Sequence, residues 1–200
     1  MAKLDHSIIY KGFRKELNKR FSAETARDIW MQANQELTGL EQANKTESLE
    51  NRMMIFPAAA LWIAICKYEP EQALPMLKEY GTVFGNKIAN MVHAITSIPG
   101  VSGLLWKNMS KLMRKMSSPE AGYTRNIVSE TDKLVGVDIL SCPLYDSAAR
   151  VGIPEAAQVV CAMDKAYMTG FKYIRYTRTT SVAEGGSCCD YRLAYDPGKE

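Results

Sequence analysis

Two short stretches of this 200-residue chain hold the side chains that could do chemistry. IPEAAQVVCAMDKAYM, residues 153–168, sets Cys161 and Asp164 three positions apart, and GGSCCDYRLAY, residues 185–195, sets Cys189 and Asp190 side by side behind a diglycine. On a helix, at ~100° per residue, Ala157, Val160, Cys161, Asp164, Tyr167 and Met168 cover the apolar face that begins with Ile153, while Glu155, Gln158 and Lys165 point away. A carboxylate within that stripe is costly to desolvate, so it needs a hydrogen-bonding or charged partner or else takes up a proton. On a strand, Cys189, Tyr191, Leu193 and Tyr195 share one face, expected to be the core face, and Cys188, Asp190, Arg192 and Ala194 share the other. Asp190 and Arg192 are then placed to pair at the surface.

Two reactions fit this set. A thiol adds to an electrophilic carbon while an aspartate shuttles the proton, or an aspartate activates water with the thiols lining the pocket. The histidines, His6 and His93, stand in no Cys-His or Ser-His pattern, which argues against a protease-like dyad. Cys142, Cys161 and Cys189 with Asp164 form an alternative zinc set, but their spacing lacks the tight pairs of structural zinc sites. The expectation is no metal and no cofactor, with zinc as the alternative. The plain structural reading makes Asp164 a tie to a neighbouring strand and the diglycine a hairpin turn.

These residues need a helix and a sheet to position them, and the pattern supplies both. The first 120 residues read as helices. Ser22 is an N-cap for a run carrying Ala26, Ile29, Trp30, Ala33 and Leu37. An apolar helix spans about 55–68 with Pro57 in its first turn, another runs from Pro70 to a stop at Gly81, and a further one covers about 84–98. Residues 104–116 place Leu105, Met109, Leu112, Met113 and Met116 on one face and Lys107, Lys111, Arg114 and Lys115 on the other. A core helix with lysine stems reaching to water is favoured over a membrane-surface helix or a lid. Farther on come a strand from Val135 to Ser141, a short helix near 147–151, a helix from Ile153 to Met168, and an antiparallel hairpin formed by FKYIRYTRTTSV and SCCDYRLAY. The expected architecture is α+β: one domain over 1–200, mainly helical through 120, with a small antiparallel sheet in the C-terminal part, 134–196, that carries the Cys/Asp motifs.

Composition narrows the function classes. Charged residues make up 24% and the net charge is +3 without a basic arm, so nucleic acid is not an expected partner. Residues 56–66, FPAAALWIAIC, are shorter than the roughly 18 apolar residues of a spanning helix, and no stable membrane insertion is expected. The chain opens with charges throughout and has five cysteines, an odd number, which points to reduced thiols and a cytoplasmic location. The expected partner is a small-molecule substrate, with a homo-oligomer allowed for.

In their order, SCPLYDSAARVGIPE, VVCAMDKAYM and EGGSCCDYRL make the sequence resemble the L-2-amino-thiazoline-4-carboxylic acid hydrolase family. The resemblance is carried by Cys161 and Asp164 on a helix, then Gly185 or Gly186, then Cys189, Asp190 and Tyr191. It implies hydrolytic opening of a small sulfur heterocycle by water addition at C2, breaking a C–N or C–S bond and giving a carbamoyl-cysteine product. The chemistry then needs an acid/base group, for which Asp164 is first choice. Cys189 and Cys161 become the candidate nucleophile or pocket thiols, and Asp190 a second carboxylate. Arg192 or Arg175 would bind the substrate carboxylate beside Tyr191 and Cys142. A second reading, from the family's likeness to vinyl-reductase-like domains, is a non-catalytic small-molecule-binding or sensor domain, with zinc on its cysteines.

Overall fold

The structure is a computed structural model that describes residues 3–198. Helices α1 (Phe13–Arg20), α2 (Ala23–Ala43), α3 (Leu49–Cys66), α4 (Pro70–Thr96), α5 (Val101–Lys107) and α6 (Met109–Met116) come first. Strands β1 (Thr124–Glu130) and β2 (Leu134–Ser141), helices α7 (Pro143–Arg150) and α8 (Ala156–Tyr167), and strands β3 (Ile174–Thr177) and β4 (Cys189–Tyr195) follow. The α+β expectation holds, with one antiparallel sheet of order β1-β2-β4-β3. The chain divides into two compact units, Met1–Gly81 with Leu144–Ala162 and Thr82–Pro143 with Met163–Glu200, so α4 and α8 each contribute to both.

In the first unit, Ser22 caps α2 by accepting the Thr25 N–H, as its sequence suggests, and Ser48 caps α3 by accepting the Asn51 N–H. Ile29, Trp30, Ala33 and Leu37 of α2 are buried, as are Phe56, Ala58, Ala59, Ala60, Leu61, Ala64 and Ile65 of α3. An apolar helix with buried residues on several sides is what the middle of a helical layer requires. Helix α3 is long and apolar enough to cross a membrane by length and composition, and 56% of it is buried inside the protein.

Pro57 lies inside α3, because the helix starts at Leu49 and not near 55. Proline there removes the N–H that the Met53 carbonyl would accept. In the same turn the Tyr10 hydroxyl donates to the Met54 carbonyl at 2.7 Å. Helix α4 likewise runs unbroken through Gly81, where the sequence suggested a stop. Gly81 and Gly85 serve close approach: a Cβ would stand 2.6 Å from the Val159 carbonyl oxygen at Gly81 and 2.3 Å from that of Met163 at Gly85. Both carbonyls belong to α8, which begins at Ala156 because Ile153 to Glu155 form a turn.

The second unit is organised by the sheet. Val135, Val137 and Ile139 of β2, Cys189 and Leu193 of β4 and Ile174 of β3 make one buried cluster with Met109, Met113 and Met168. The alternation 135, 137, 139 and 189, 193 is the period of a strand with one face covered. Met109 and Met113 bury the apolar side of α6, in line with the core-helix reading, but the expected 104–116 helix divides at Asn108, and Met116, expected on the same face, is 53% exposed at the end of α6. Strand β1 was not expected from the sequence: its residues alternate between exposed and half-buried, so TRNIVSE carries no strong apolar signal, and pairing with β2 sets it at the sheet edge.

Candidate functional site

Asp164 stands on the last full turns of α8, and its Oδ2 accepts from the Tyr191 hydroxyl at 2.7 Å and from Arg178 Nη1 at 3.3 Å. The Tyr167 phenol, one turn on along α8, interacts electrostatically with the same carboxyl. Arg178 donates to the Tyr191 hydroxyl at 3.2 Å and lies over the Tyr191 ring, 5.6 Å from its centroid. Each member is delivered by a different element: Asp164 and Tyr167 by α8, Tyr191 by the inward face of β4, and Arg178 by the residue just past the end of β3.

Alternation explains the two sheet-borne members. Tyr191 follows Cys189 and precedes Leu193 on the core-facing side of β4. Ile174, Tyr176 and Arg178 continue one face of β3, with Ile174 at 0% and Arg178 at 8% exposure, while Arg175 and Thr177 face out. Arg178 was missed in the sequence, where attention fell on Arg175 and Arg192. The period of two beginning at Ile174 was the signal that placed a cation in register with buried side chains.

Desolvation dominates the electrostatics. It pushes the Asp164 carboxyl above the ordinary aspartate value of 3.8, and the Tyr191 hydrogen bond, the Arg178 charge and the Tyr167 phenol only partly offset it. The carboxyl side chain keeps 21% exposure against 4% for Arg178, so it is the member of the pair that solvent can reach. Burial, followed by the Asp164 charge, drives the Tyr191 and Tyr167 phenols upward, so both remain protonated donors. The result is a carboxylate held by hydrogen-bond donors and a cation in a weakly hydrated setting, able to take up and return a proton.

The remaining sequence candidates occupy other places. The Cys189 thiol is buried, accepts the Val182 N–H at 3.3 Å and lies 3.9 Å from the Ser181 hydroxyl, which ties β4 to the turn before it. Asp190 accepts from the Thr179 and Thr180 N–H groups at 2.8 and 2.7 Å and from the Thr179 hydroxyl at 2.7 Å. Burial pushes its carboxyl up, but these hydrogen bonds outweigh that and leave it below the usual range. The surface pair expected between Asp190 and Arg192 does not form: Arg192 pairs with Asp138 at 2.7 Å and donates to the Tyr191 carbonyl at 2.9 Å. Strand register is the reason, since Asp138 lies opposite Asp190 and brings a second carboxylate within reach. Arg175 pairs with Asp196 in the open.

Cys142 packs at the margin of the sheet cluster, and Cys161 is half-buried on α8, one turn before Asp164. Cys188 is raised by desolvation and by the charges of Asp138 and Asp190, which keeps it a thiol. Among the described residues no three His, Cys, Asp or Glu side chains stand together in a way that could hold a metal ion, so the zinc set of Cys142, Cys161, Cys189 and Asp164 is not assembled.

The diglycine closes the turn that carries β4. Gly185 adopts φ +86°, in the left-handed region, and a Cβ on Gly186 would stand 1.9 Å from the Thr180 hydroxyl. Gly186 therefore lets the chain cross close to the Thr179–Thr180 segment that Asp190 fastens, two residues beyond Arg178.

A helix-borne carboxyl gripped by a phenol and an arginine from an antiparallel sheet defines an α+β protein with a candidate acid/base centre. Residues 46–193 match the family model of L-2-amino-thiazoline-4-carboxylic acid hydrolase, and the chain belongs to that family. The matched region contains Asp164, Arg178 and Tyr191 together. No curated protein matches the chain.

Among solved structures, one similar chain is a trafficking protein particle complex subunit 3 from Naegleria fowleri covalently bound to palmitic acid. It has 12% identity and a TM-score of 0.40, over 77% of this chain and 99% of that one. Another is the Fe(II) unliganded H-NOX protein from K. algicida, with 13% identity and a TM-score of 0.38, over 95% and 96%. A point mutant of the latter gives 14% and 0.37, over 96% and 97%.

Proposed function

We propose that the protein hydrolyses a small sulfur-containing heterocycle of the 2-amino-thiazoline-4-carboxylate type, with Asp164 as the group that moves the proton. The observation that carries this reading is the Asp164 carboxyl, raised by desolvation yet still reachable by solvent, with Tyr191, Tyr167 and Arg178 around it. The family's name supplies the reaction class. A base whose affinity for protons lies nearer neutrality than that of an exposed aspartate is better matched to activating water.

In this reaction Asp164 takes a proton from water as the oxygen adds to C2 of the ring. The hydroxyl proton of the tetrahedral adduct passes to the ring nitrogen as C2=O forms and the ring sulfur leaves with the C2–S electron pair, and the proton held by Asp164 passes to that sulfur. Substrate plus water gives N-carbamoyl-cysteine. Breaking C2–N instead would give the S-carbamoyl isomer. Tyr191, whose one O–H goes to Asp164 Oδ2, and Arg178, which meets the same oxygen, are positioning residues that fix the carboxyl and leave Oδ1 for the water. Cys189 and Asp190 act on the frame: the first anchors the turn before β4, and the second fastens the segment that follows Arg178.

The test is incubation of the purified chain with L-2-amino-thiazoline-4-carboxylic acid, following substrate loss and resolving the two carbamoyl isomers. Formation of N-carbamoyl-cysteine that disappears in Asp164→Asn and persists in Cys189→Ala supports the assignment. Near-normal turnover by a folded Asp164→Asn protein removes Asp164 from the mechanism. No turnover by the folded wild-type chain removes this substrate and moves the binding-domain reading ahead.

A further inference from the structure

A cavity of about 220 Å³ lies within the first unit, lined by the segment before α1 and by helices α2 and α3. Its walls are aliphatic: Ile8, Ile9 and Leu37 on one side, Leu49, Met53 and Pro57 on the other. Three of them also stand out at the surface, Ile8 at 71%, Leu49 at 69% and Met53 at 46% exposure, so large apolar side chains remain uncovered around this cavity. Scattered apolar side chains on a surface mean little, but several gathered around one cavity suit a ligand with an apolar body.

Four polar residues, His6, Ser7, Glu41 and Arg52, also line the cavity, and Arg52 supplies its fixed positive charge. Its Nε is buried without a hydrogen-bond partner, and its guanidinium forms no ion pair among the described residues. That nitrogen has no exposed surface, so the half-buried Arg52 meets the cavity through its other side-chain atoms, and a charge-assisted hydrogen bond from a guanidinium to a carboxylate is among the strong ones. His6 and Glu41 are both engaged in interactions of their own. The lining residues at positions 6–41 precede the region matched by the family model, which starts at 46. This cavity is thus built in part from chain that lies outside that match.

We propose that this cavity is a binding site for a small monocarboxylate with an aliphatic body, its carboxylate on Arg52 and its chain against Ile8, Leu37, Leu49 and Met53. The volume suits roughly ten non-hydrogen atoms, well below that of drug-sized sites. The site shares no residue with the group around Asp164, and its test does not depend on the hydrolase reading.

The experiment is calorimetric or NMR titration of the full chain with three probes: octanoate, which has both charge and chain; octanol, which has the chain alone; and acetate, which has the charge alone. Octanoate is expected to bind saturably, at one site per chain and at least about tenfold more tightly than either of the others. Arg52→Gln is expected to weaken octanoate about tenfold or more while leaving octanol unchanged, and Arg52→Lys to lose less. Leu49→Glu, at an exposed position where folding is safe, is expected to weaken octanoate by placing a like charge beside it. Equal binding of octanoate and octanol, indifference of octanoate to Arg52→Gln in a protein of unchanged thermal stability, or no saturable binding each overturns the proposal.

Discussion

Burial moves the Asp164 carboxyl up and leaves it there, whereas at Asp190 the hydrogen bonds from Thr179 and Thr180 reverse the effect of burial. The two aspartates therefore affect stability with opposite sign. The folded Asp190 is a stronger acid than its unfolded counterpart, so its contribution is present above the ordinary value of 3.8 and is lost as pH falls through the lower folded value. Asp190→Ala is expected to cost about 1–3 kcal/mol near pH 7 by urea denaturation, with the deficit shrinking as pH falls below 3.8. Asp164 runs the other way: stability is lost as pH rises from 3.8 through its raised folded value, so over that window Asp164→Asn should improve relative to wild type. Both aspartates were legible in the sequence as unusual residues, but their roles were not. A strand pattern shows which face Asp190 takes, while its partners Thr179 and Thr180 depend on the turn closed by Gly185 and Gly186. Arg178 was legible through the alternation from Ile174 within the strand-like run FKYIRYTRTTSV, and was passed over because Arg175 and Arg192 were taken as the cations.

Helices α4 and α8 carry the clearest difference between sequence pattern and structure. Gly81 was read as a stop, yet a glycine inside a helix serves equally as a contact where a second backbone comes near, and sequence alone does not separate these uses. Gly85→Ala separates them. A contact-making Cβ would stand 2.3 Å from the Met163 carbonyl oxygen and 2.7 Å from the Ala166 Cβ. Overpacking should then outweigh the roughly 1 kcal/mol that alanine gains in a helix, giving a net loss of about 1–3 kcal/mol by urea denaturation. An increase in stability would contradict the close crossing. Helix α6 was legible, since its methionines and lysines alternate at helical spacing, and the structure assigns the apolar side to the core. Met109→Ala is expected to cost about 2–4 kcal/mol and Met116→Ala less than about 0.5 kcal/mol, read from the same unfolding curves. Equal, small effects would return this segment to a surface role. Strand β1 was invisible because an edge strand needs only one paired side and carries no run of buried residues.

At the scale of the whole chain, the α+β class, the C-terminal hairpin and the family were all readable, because strand alternation and the order of the three short motifs are properties of local sequence. The division into two compact units was not, since each unit is assembled from distant segments and α4 and α8 pass through both. The account rests on one claim at this scale: elements from α8, β3 and β4 converge to make Asp164 the proton-transfer group. The most direct test is the pH dependence of kcat/KM for thiazoline opening by wild type, Asp164→Asn and Asp190→Asn, each checked for folding. The account predicts an acid limb in wild type displaced upward from 3.8, a loss of about 10²–10⁴-fold with disappearance of that limb in Asp164→Asn, and a wild-type profile in Asp190→Asn at temperatures where it stays folded. A folded Asp164→Asn protein that keeps both the rate and the limb would contradict it.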